Sequence, residues 1–307
     1  MQRYIMVRLS HALLSLVAIS VIVFGLARLS GNPLDVLLTE DATPEDFKQT
    51  MELWGLDKPL HIQYLVYVKN ISTGNFGESI KWPGKTTGEL IMKKLPATLQ
   101  LSFFALIAAV GLAVPLGVLV AVKKDTGFDL AGKLFALLGQ SAPSFWIGIV
   151  LIWIFAVILG LVPASGRDQG LKSVILPAIT LGWFQVAAVM RLTRSSILEV
   201  LDSEYVKLAR VKGLSERIVI WKHCLRNASI APLTYFGLIL GGFLTGSVVT
   251  ETVFAWPGVG LLAINALKAR DYQVIQTVVL FFSVVYILCN LLVDILYAYL
   301  DPRIRYD

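Results

Sequence analysis

The residues able to do covalent, acid–base or metal chemistry are few and scattered through the 307-residue chain. His11, His61 and His223 fall in three separate regions and cannot form one metal site. Cys224 and Cys289 read as two unpaired thiols, not as a disulfide framework or a metal cluster. No Ser/His/Asp or paired-carboxylate arrangement has a motif context. No phosphate-binding loop of the form GxxxxGK followed by Ser or Thr is present. The sequence therefore predicts no catalytic, cofactor-binding or metal-binding residue. What remains is the chemistry of recognition, concentrated in residues 204–228, "EYVKLARVKGLSERIVIWKHCLRNA".

That segment reads as helix, glycine turn, helix. Asp202 or Ser203 can cap a helix opening at Glu204, where a carboxylate suits the positive end of the helix dipole. Tyr205, Leu208 and Ala209 share a face at helical spacing. Arg210 and Lys212 sit in the last turn, Gly213 supplies a left-handed C-terminal position, and Leu214 follows it. Ser215 caps a second helix beginning at Glu216, with Ile218, Trp221 and Leu225 on one face. Three readings compete. A basic loop touching anionic membrane lipid accounts for the charges alone. A DNA-binding helix-turn-helix matches the alanine-to-glycine spacing, but a tethered segment of this size has no core of its own, so nucleic acid is not expected. A docking element accounts for two capped helices whose apolar faces need cover.

The elements that must position this segment follow from composition. The chain is 56% hydrophobic and 16% charged, with a mean hydropathy of +0.71, against about 25% charged in ordinary soluble domains. Apolar runs long enough to cross a bilayer recur along it. The prediction is an all-α, polytopic membrane protein with six transmembrane helices, over residues 9–29, 97–122, 134–159, 174–192, 229–250 and 274–300. The first run exceeds a signal-peptide core and no clean cleavage site follows, so it reads as a retained span. The fourth, with Pro177, Gly182 and Gln185, should be kinked or packed inside the bundle. With both termini inside, fifteen of the 27 Lys and Arg fall on inner segments and five on short outer ones. That bias sets an N-in, C-in orientation. Residues 30–96 form an external insertion in which Thr43 caps a helix at Pro44 and "HIQYLVYVKNI" is a second amphipathic helix. Residues 193–228 form the cytoplasmic loop.

"EYVKLARVKGL" followed by "LRNA" resembles the EAA loop of bacterial ABC importer permeases, in the dipeptide, oligopeptide and nickel branch of binding-protein-dependent transport systems. The resemblance spans the whole chain. "LDKPLHIQY", "GNFGESI", "LPATLQLS", "APSFWIGI", "LPAITLG", "RLTRSSILEVLDSEY", "ETVFAWPGVG", "ARDYQVIQ" and "DPRIRY" occur in the order expected. The general loop pattern begins Glu-Ala-Ala, whereas Tyr205 and Val206 follow Glu204 here. It also ends in a proline near the position of Arg226, whereas the nearest here is Pro232.

The resemblance implies a type I ABC importer permease fold in the bacterial cytoplasmic (inner) membrane. It implies a second homologous permease subunit, two cytoplasmic ABC ATPase subunits that hold ATP and Mg, and an extracytoplasmic solute-binding protein. The coupling loop is then Glu204, Tyr205, Ala209, Arg210, Lys212, Gly213, Leu214, Ser215 and Glu216. Ala209 and Gly213 are small enough for close approach of another backbone, and Arg210, Lys212 and Glu216 can make rim contacts with the ATPase. For the solute path the candidates are Gln140, Ser141, Trp183, Gln185 and Asn290, with interhelical hydrogen bonding as the plainer role. Phe254, Trp256, Pro257 and Gly258 are candidates for an outer gate or binding-protein contact, with an interfacial tryptophan anchor as the alternative. The solute stays open among peptides, nickel or other metal chelates and related small molecules. An ATP-independent channel or secondary transporter is the competing class. An intramembrane hydrolase would need ionisable or nucleophilic clusters at mid-span depth, and the sequence offers none.

Overall fold

The structure, a computed structural model, describes residues 2–29, 38, 42–53, 55–245 and 247–300. The closing "DPRIRY", with Arg303 and Arg305, lies outside the described residues. Helices make up nearly all of what is described. The one β-type pairing among these residues is an isolated bridge between Glu78 and Thr86. Two compact units emerge, Met1–Ala97 with Pro257–Asp307, and Thr98–Trp256.

The first unit begins with α1 (Gln2–Leu29), followed by two short helices, α2 (Pro44–Leu53) and α3 (Leu60–Ser72). At α2 the Thr43 hydroxyl accepts from the Asp46 backbone N–H at 3.3 Å, and Asp46 accepts from the Thr43 backbone N–H at 2.9 Å. This is a capping box with aspartate in the third position. The Thr43 hydroxyl also donates to the Asp46 carboxylate at 2.7 Å, and this bond, with the one from the Thr43 backbone N–H, holds the carboxyl below its ordinary pKa. The helix α3 lies against α1. Tyr64 hydrogen-bonds Ser20 at 2.8 Å, and Phe24 meets Tyr64 and Tyr67 with ring centroids 5.5 and 5.6 Å apart. The unit closes on the start of α4 (Thr87–Val122), with Leu90 and Ile91 packed among residues from two later helices, α13 (Val259–Lys268) and α14 (Tyr272–Leu300). Asp271 ties these pieces. It is buried and accepts from the Ser79 hydroxyl, from Lys81 N–H and from Val274 N–H in the first turn of α14.

The second unit takes the rest of α4, then α5 (Gly127–Ser141), α6 (Ser144–Leu151) continuing as a π-helical segment Ile152–Ile158, and α7 (Leu171–Leu201). Four short pieces follow: α8 (Glu204–Val211), α9 (Glu216–Ile218), a π-helical turn Val219–Cys224 and α10 (Leu225–Ala228). Then come α11 (Ile230–Thr245) and α12 (Ser247–Val253).

Among the described residues, four helices are long and apolar enough to cross a membrane, over Met6–Leu29, Thr87–Val122, Leu171–Leu201 and Tyr272–Val293, or five if a bent pair counts as one span. A single straight span is expected over 134–159, but the chain instead breaks there. Gly127–Ser141 and Ser144–Ile158 meet at 110°. The cause is local. Pro143 disfavours helical geometry at Ala142, whose φ and ψ of −81° and 130° are extended. The helix restarts one residue beyond the proline, at Ser144.

Helix α7 is the buried element of its unit, in keeping with the weak fourth run of the sequence, and it continues through Pro177. Small residues let its neighbours come close. A Cβ at Gly182 would sit 3.1 Å from the Ala105 carbonyl oxygen, and one at Gly139 would sit 2.7 Å from the Ala187 Cβ. At Gly117 an added Cβ would meet the Met190 carbonyl oxygen at 2.8 Å and the Thr193 Cβ at 2.7 Å. Backbone cannot swing aside as a side chain can. Gly117→Val is therefore expected to lower stability by about 1–3 kcal/mol, the usual cost of overpacking a filled site. A thermal melt of the detergent-solubilised chain reads this as a lower midpoint.

Candidate functional site

The segment after α7 folds as helix, glycine turn, helix. Ser203 occupies the cap position of α8, but its hydroxyl donates to the Val200 carbonyl at the end of α7, not to an α8 amide. The same holds at Ser215, which precedes α9 without a side-chain cap bond. The turn between them is closed by backbone. Gly213 N–H donates to the Arg210 carbonyl at 2.9 Å and Leu214 N–H to the Ala209 carbonyl at 3.3 Å, the paired bonds of a Schellman motif. Gly213 carries φ +77°, a geometry a side chain would strain, although an added Cβ would meet nothing within 4 Å.

Of the face expected to need cover, Tyr205 and Leu208 are exposed and Ala209 is not. Val206 and Ala209 point inward, into a cluster with Val118 and Ala121 of α4, Ile197 of α7, and Val219 and Cys224. Tyr205 and Leu208 lie on the other side, with Leu208 54% and Val211 84% exposed. The spacing rule groups Tyr205, Leu208 and Ala209. Ala209 in fact belongs to the core and is not available for a partner backbone. In the second helix Ile218 and Trp221 of the expected face are exposed, while Val219, Ile220 and Cys224, in and beside the π-helical turn, are buried. Burial pushes the Cys224 thiol above its ordinary pKa, which keeps it protonated.

The charges in the segment are largely self-contained. Arg210 Nε donates to Glu216 at 2.8 Å across the turn, and this bond raises the Arg210 pKa further. Lys207 pairs with Glu204 at 2.8 Å, and Asn227 donates to the Tyr205 hydroxyl at 2.8 Å. Deeper in the unit, Asp129 on α5 receives a two-pronged pair from Arg194 on α7 at 2.9 and 3.1 Å, with Lys133 at 2.9 Å. Asp129 is only 1% exposed, so this fork clamps α5 to the half of α7 that carries the segment.

At the far end of the same unit lie Phe254 and Trp256, the two largest fully buried side chains among the described residues. An interfacial anchor would show its ring to lipid, and Trp256 does not. Ala255 between them has φ +48°, and Trp256 N–H donates to the Glu251 carbonyl at 2.8 Å, which ends α12 in a second tight turn. Arg167 stacks over Trp256 at 5.7 Å and donates to Gln100 at 2.8 Å. Pro257 and Gly258 belong to the other unit, where Gly258 precedes α13.

The polar path candidates fall in both units, Asn290 in the first and the other four in the second. Gln140 accepts from Arg191 at 3.0 Å and Gln185 from Tyr235 at 3.0 Å. Ser141 donates to Leu137 in its own helix, and Asn290 to Tyr286 in its own. Trp183 packs on Phe135 at 5.2 Å with its indole N–H buried and unpartnered. Two residues apart on α7, Trp183 and Gln185 point about 200° from one another. The plainer interhelical role describes Gln140 and Gln185.

Sequence reading missed Glu251. This fully buried carboxylate accepts from the Thr98 hydroxyl at 2.7 Å and the Ser247 hydroxyl at 3.0 Å, holding α12 to α4. Its signals were its place just past the expected end of the fifth span and its position as first residue of "ETVFAWPGVG". No group of three or more His, Cys, Asp or Glu that could hold a metal occurs among the described residues.

Residues 113–306 match the family described as binding-protein-dependent transport system inner membrane component, and residues 1–102 match its N-terminal counterpart. The chain belongs to this family. It is a multi-pass, inner-membrane transport component, and the family is not one of catalytic enzymes. The dipeptide transport system permease protein DppB of Alkalihalophilus pseudofirmus is 38% identical with all of both chains covered. The di/tripeptide permease protein DppB of Pseudomonas aeruginosa is 40% identical, and the glutathione permease protein GsiC of Salmonella typhi 39%, each over the full length of both chains. The fold matches that of an inward-facing MetNI methionine ABC transporter chain, with a TM-score of 0.55 at 17% identity, covering 69% of this chain and 96% of that one. Within this permease fold, Glu251→Leu should remove the acceptor shared by the Thr98 and Ser247 hydroxyls, break the link between α12 and α4, and cost about 1–3 kcal/mol. The expected readout is a lowered melting midpoint, with Glu251→Gln recovering part of the loss.

Proposed function

We propose that this permease forms half of the translocation channel of an ATP-driven importer for peptides, and that residues 204–216 are the handle by which separate ATPase subunits move it. One observation carries the coupling assignment. Helix α8 buries Val206 and Ala209 in a core shared with α4 and α7 while leaving Tyr205, Leu208 and Val211 uncovered on the opposite face. An apolar face supported from behind and bare in front suits a protein partner. Arg210, Lys212, Leu214, Ser215 and Glu216 edge that face, and Gly213 sets the turn. In this reading α8 lies on the cytoplasmic side of six spans with both termini inside, as the distribution of Lys and Arg supports. A second permease subunit, two ATPases holding ATP and Mg, and an external solute-binding protein complete the importer. Peptides are favoured as the solute because the full-length relatives are named for di-, tri- and oligopeptide transport.

Reconstitution with the partner subunits should give peptide uptake that stops when ATP is withheld, and undiminished uptake would overturn the reading. Leu208→Asp should leave the melting midpoint unchanged, because the side chain is exposed. It should cut peptide-stimulated ATP hydrolysis at least about tenfold, the equivalent of roughly 1.4 kcal/mol of docking energy. Val206→Asp, on the inner face, should instead unfold the segment. Equal behaviour of the two variants would sink the assignment of faces.

A further inference from the structure

One face of α1 carries Leu13, Leu16, Val17, Ser20, Phe24 and Arg28 at steps of three and four residues. Two cavities open on this face within the first unit. Around Leu13 to Ser20 lies an apolar cleft of about 480 Å³, walled by α1, α3, α4 and α14. Around Phe24 and Arg28 lies a polar cavity of about 150 Å³, lined by Gln63, Tyr67, Asn70 and Gln276 among others. The two share Ile71, Phe76 and Thr277 as walls, so they lie side by side along the helix.

The polar cavity holds three buried atoms with no hydrogen-bond partner, namely Arg28 Nε, the Gln63 carbonyl oxygen and the Tyr67 hydroxyl. Gln63 spends its amide N–H groups on the Leu56 and Lys58 carbonyls at 3.2 and 2.7 Å, which leaves its oxygen as a pure acceptor. Burial, with the neighbouring Tyr64, pushes the Tyr67 phenol well above its ordinary range, so it stays a donor. An occupant must therefore bring an anionic acceptor to Arg28 and Tyr67 and an N–H or O–H donor to Gln63. It must also carry a long apolar part for the cleft. From Leu13 to Arg28 is fifteen residues, about 22 Å of helix, which is half the roughly 40–45 Å thickness of a bilayer with its headgroups. A single lipid of one leaflet has that length.

We propose that this face is a specific phospholipid site, with the headgroup phosphate on Arg28 and Tyr67, a headgroup ammonium or hydroxyl on Gln63, and an acyl chain in the cleft. Phosphatidylethanolamine and phosphatidylglycerol meet these requirements. Phosphatidylcholine, with no headgroup donor, does not. The test purifies the full chain through a delipidating detergent wash and counts retained phospholipid by extraction and mass spectrometry. About one phosphatidylethanolamine or phosphatidylglycerol per chain is expected, falling at least tenfold in Arg28→Gln, since a charge-assisted hydrogen bond contributes about that factor. Leu16→Trp, which fills the cleft and keeps the arginine, should lose the lipid equally, and Val157→Trp, outside the cleft, should not. Equal retention by wild type, Arg28→Gln and Leu16→Trp would overturn the site as ordinary annular lipid. So would equal retention of phosphatidylcholine after exchange, or displacement of the lipid by excess inorganic phosphate, which would mark a free-anion site. Should Arg28→Gln fail to fold, Leu16→Trp and Tyr67→Phe decide the question.

Discussion

The close approach of helices around α7 is the constraint on which the second unit depends. In lipid, one apolar side chain is as well solvated as another, so hydrophobicity alone cannot say which helix packs where. Contact distance decides instead. Gly182 admits the Ala105 backbone, Gly117 admits the Met190 backbone, Gly139 admits Ala187, and Gly148 admits Thr180 and Phe254. Each glycine removes the atom that would have held two helices apart, and the dispersion gained along the resulting seam is the main attraction available. The Asp129–Arg194 fork then fixes register where the seam alone would allow sliding.

If the 204–216 segment is the proposed handle, that rigidity would give it mechanical meaning. Helix α7 has 31 residues, about 46 Å, whereas a bilayer core is about 30 Å thick. Its far end leads, across the extended Ser203, into α8. Because Val206 and Ala209 share a core with Val118, Ala121 and Ile197, a displacement of α8 is passed to α4 and α7 and is not absorbed in a pliant loop. The Schellman turn at Gly213 and the Arg210–Glu216 bond make helix, turn and helix one body. A switch that moves packed elements together needs such a body at the point where force enters.

The all-helical architecture, the buried fourth run, the start of α8 at Glu204 and the left-handed geometry at Gly213 were legible, because each rests on one-dimensional signals: hydropathy, charge and turn chemistry. The inner and outer faces of α8 were not. Tyr205, Leu208 and Ala209 satisfy helical spacing as well as Val206 and Ala209 do, and only the neighbouring cluster says which stripe is covered. The break at Pro143 was readable in principle from the proline, but hydropathy averages across it. Register shifts from π-helical turns, as at Val219–Cys224, leave no simple residue signature. Glu251 escaped because a carboxylate near a span end reads as loop, and its burial depends on the Thr98 and Ser247 hydroxyls, distant in sequence or weak as signals.

The pairing of buried polar groups bears on how such a channel handles its cargo. Asp271, Glu251 and Asp129 are all buried, and each is met by hydroxyl, backbone or guanidinium donors. Gln140, Gln185 and Asn290 likewise have partners within the chain. Were Gln140 or Gln185 to line the proposed path, their existing bonds would leave a passing solute little enthalpy. That suits transport, since a site that binds well releases slowly. Trp183 is the exception among the path candidates, with a buried indole N–H that has no acceptor. If the path runs along that part of α7, its unspent donors, the Trp183 indole N–H and the Thr180 hydroxyl one turn away, point to weak contacts with carbonyl groups. Such contacts would be too few to select a solute. Selection would then belong to the component that delivers the solute, and the membrane unit would need only to open and close around it.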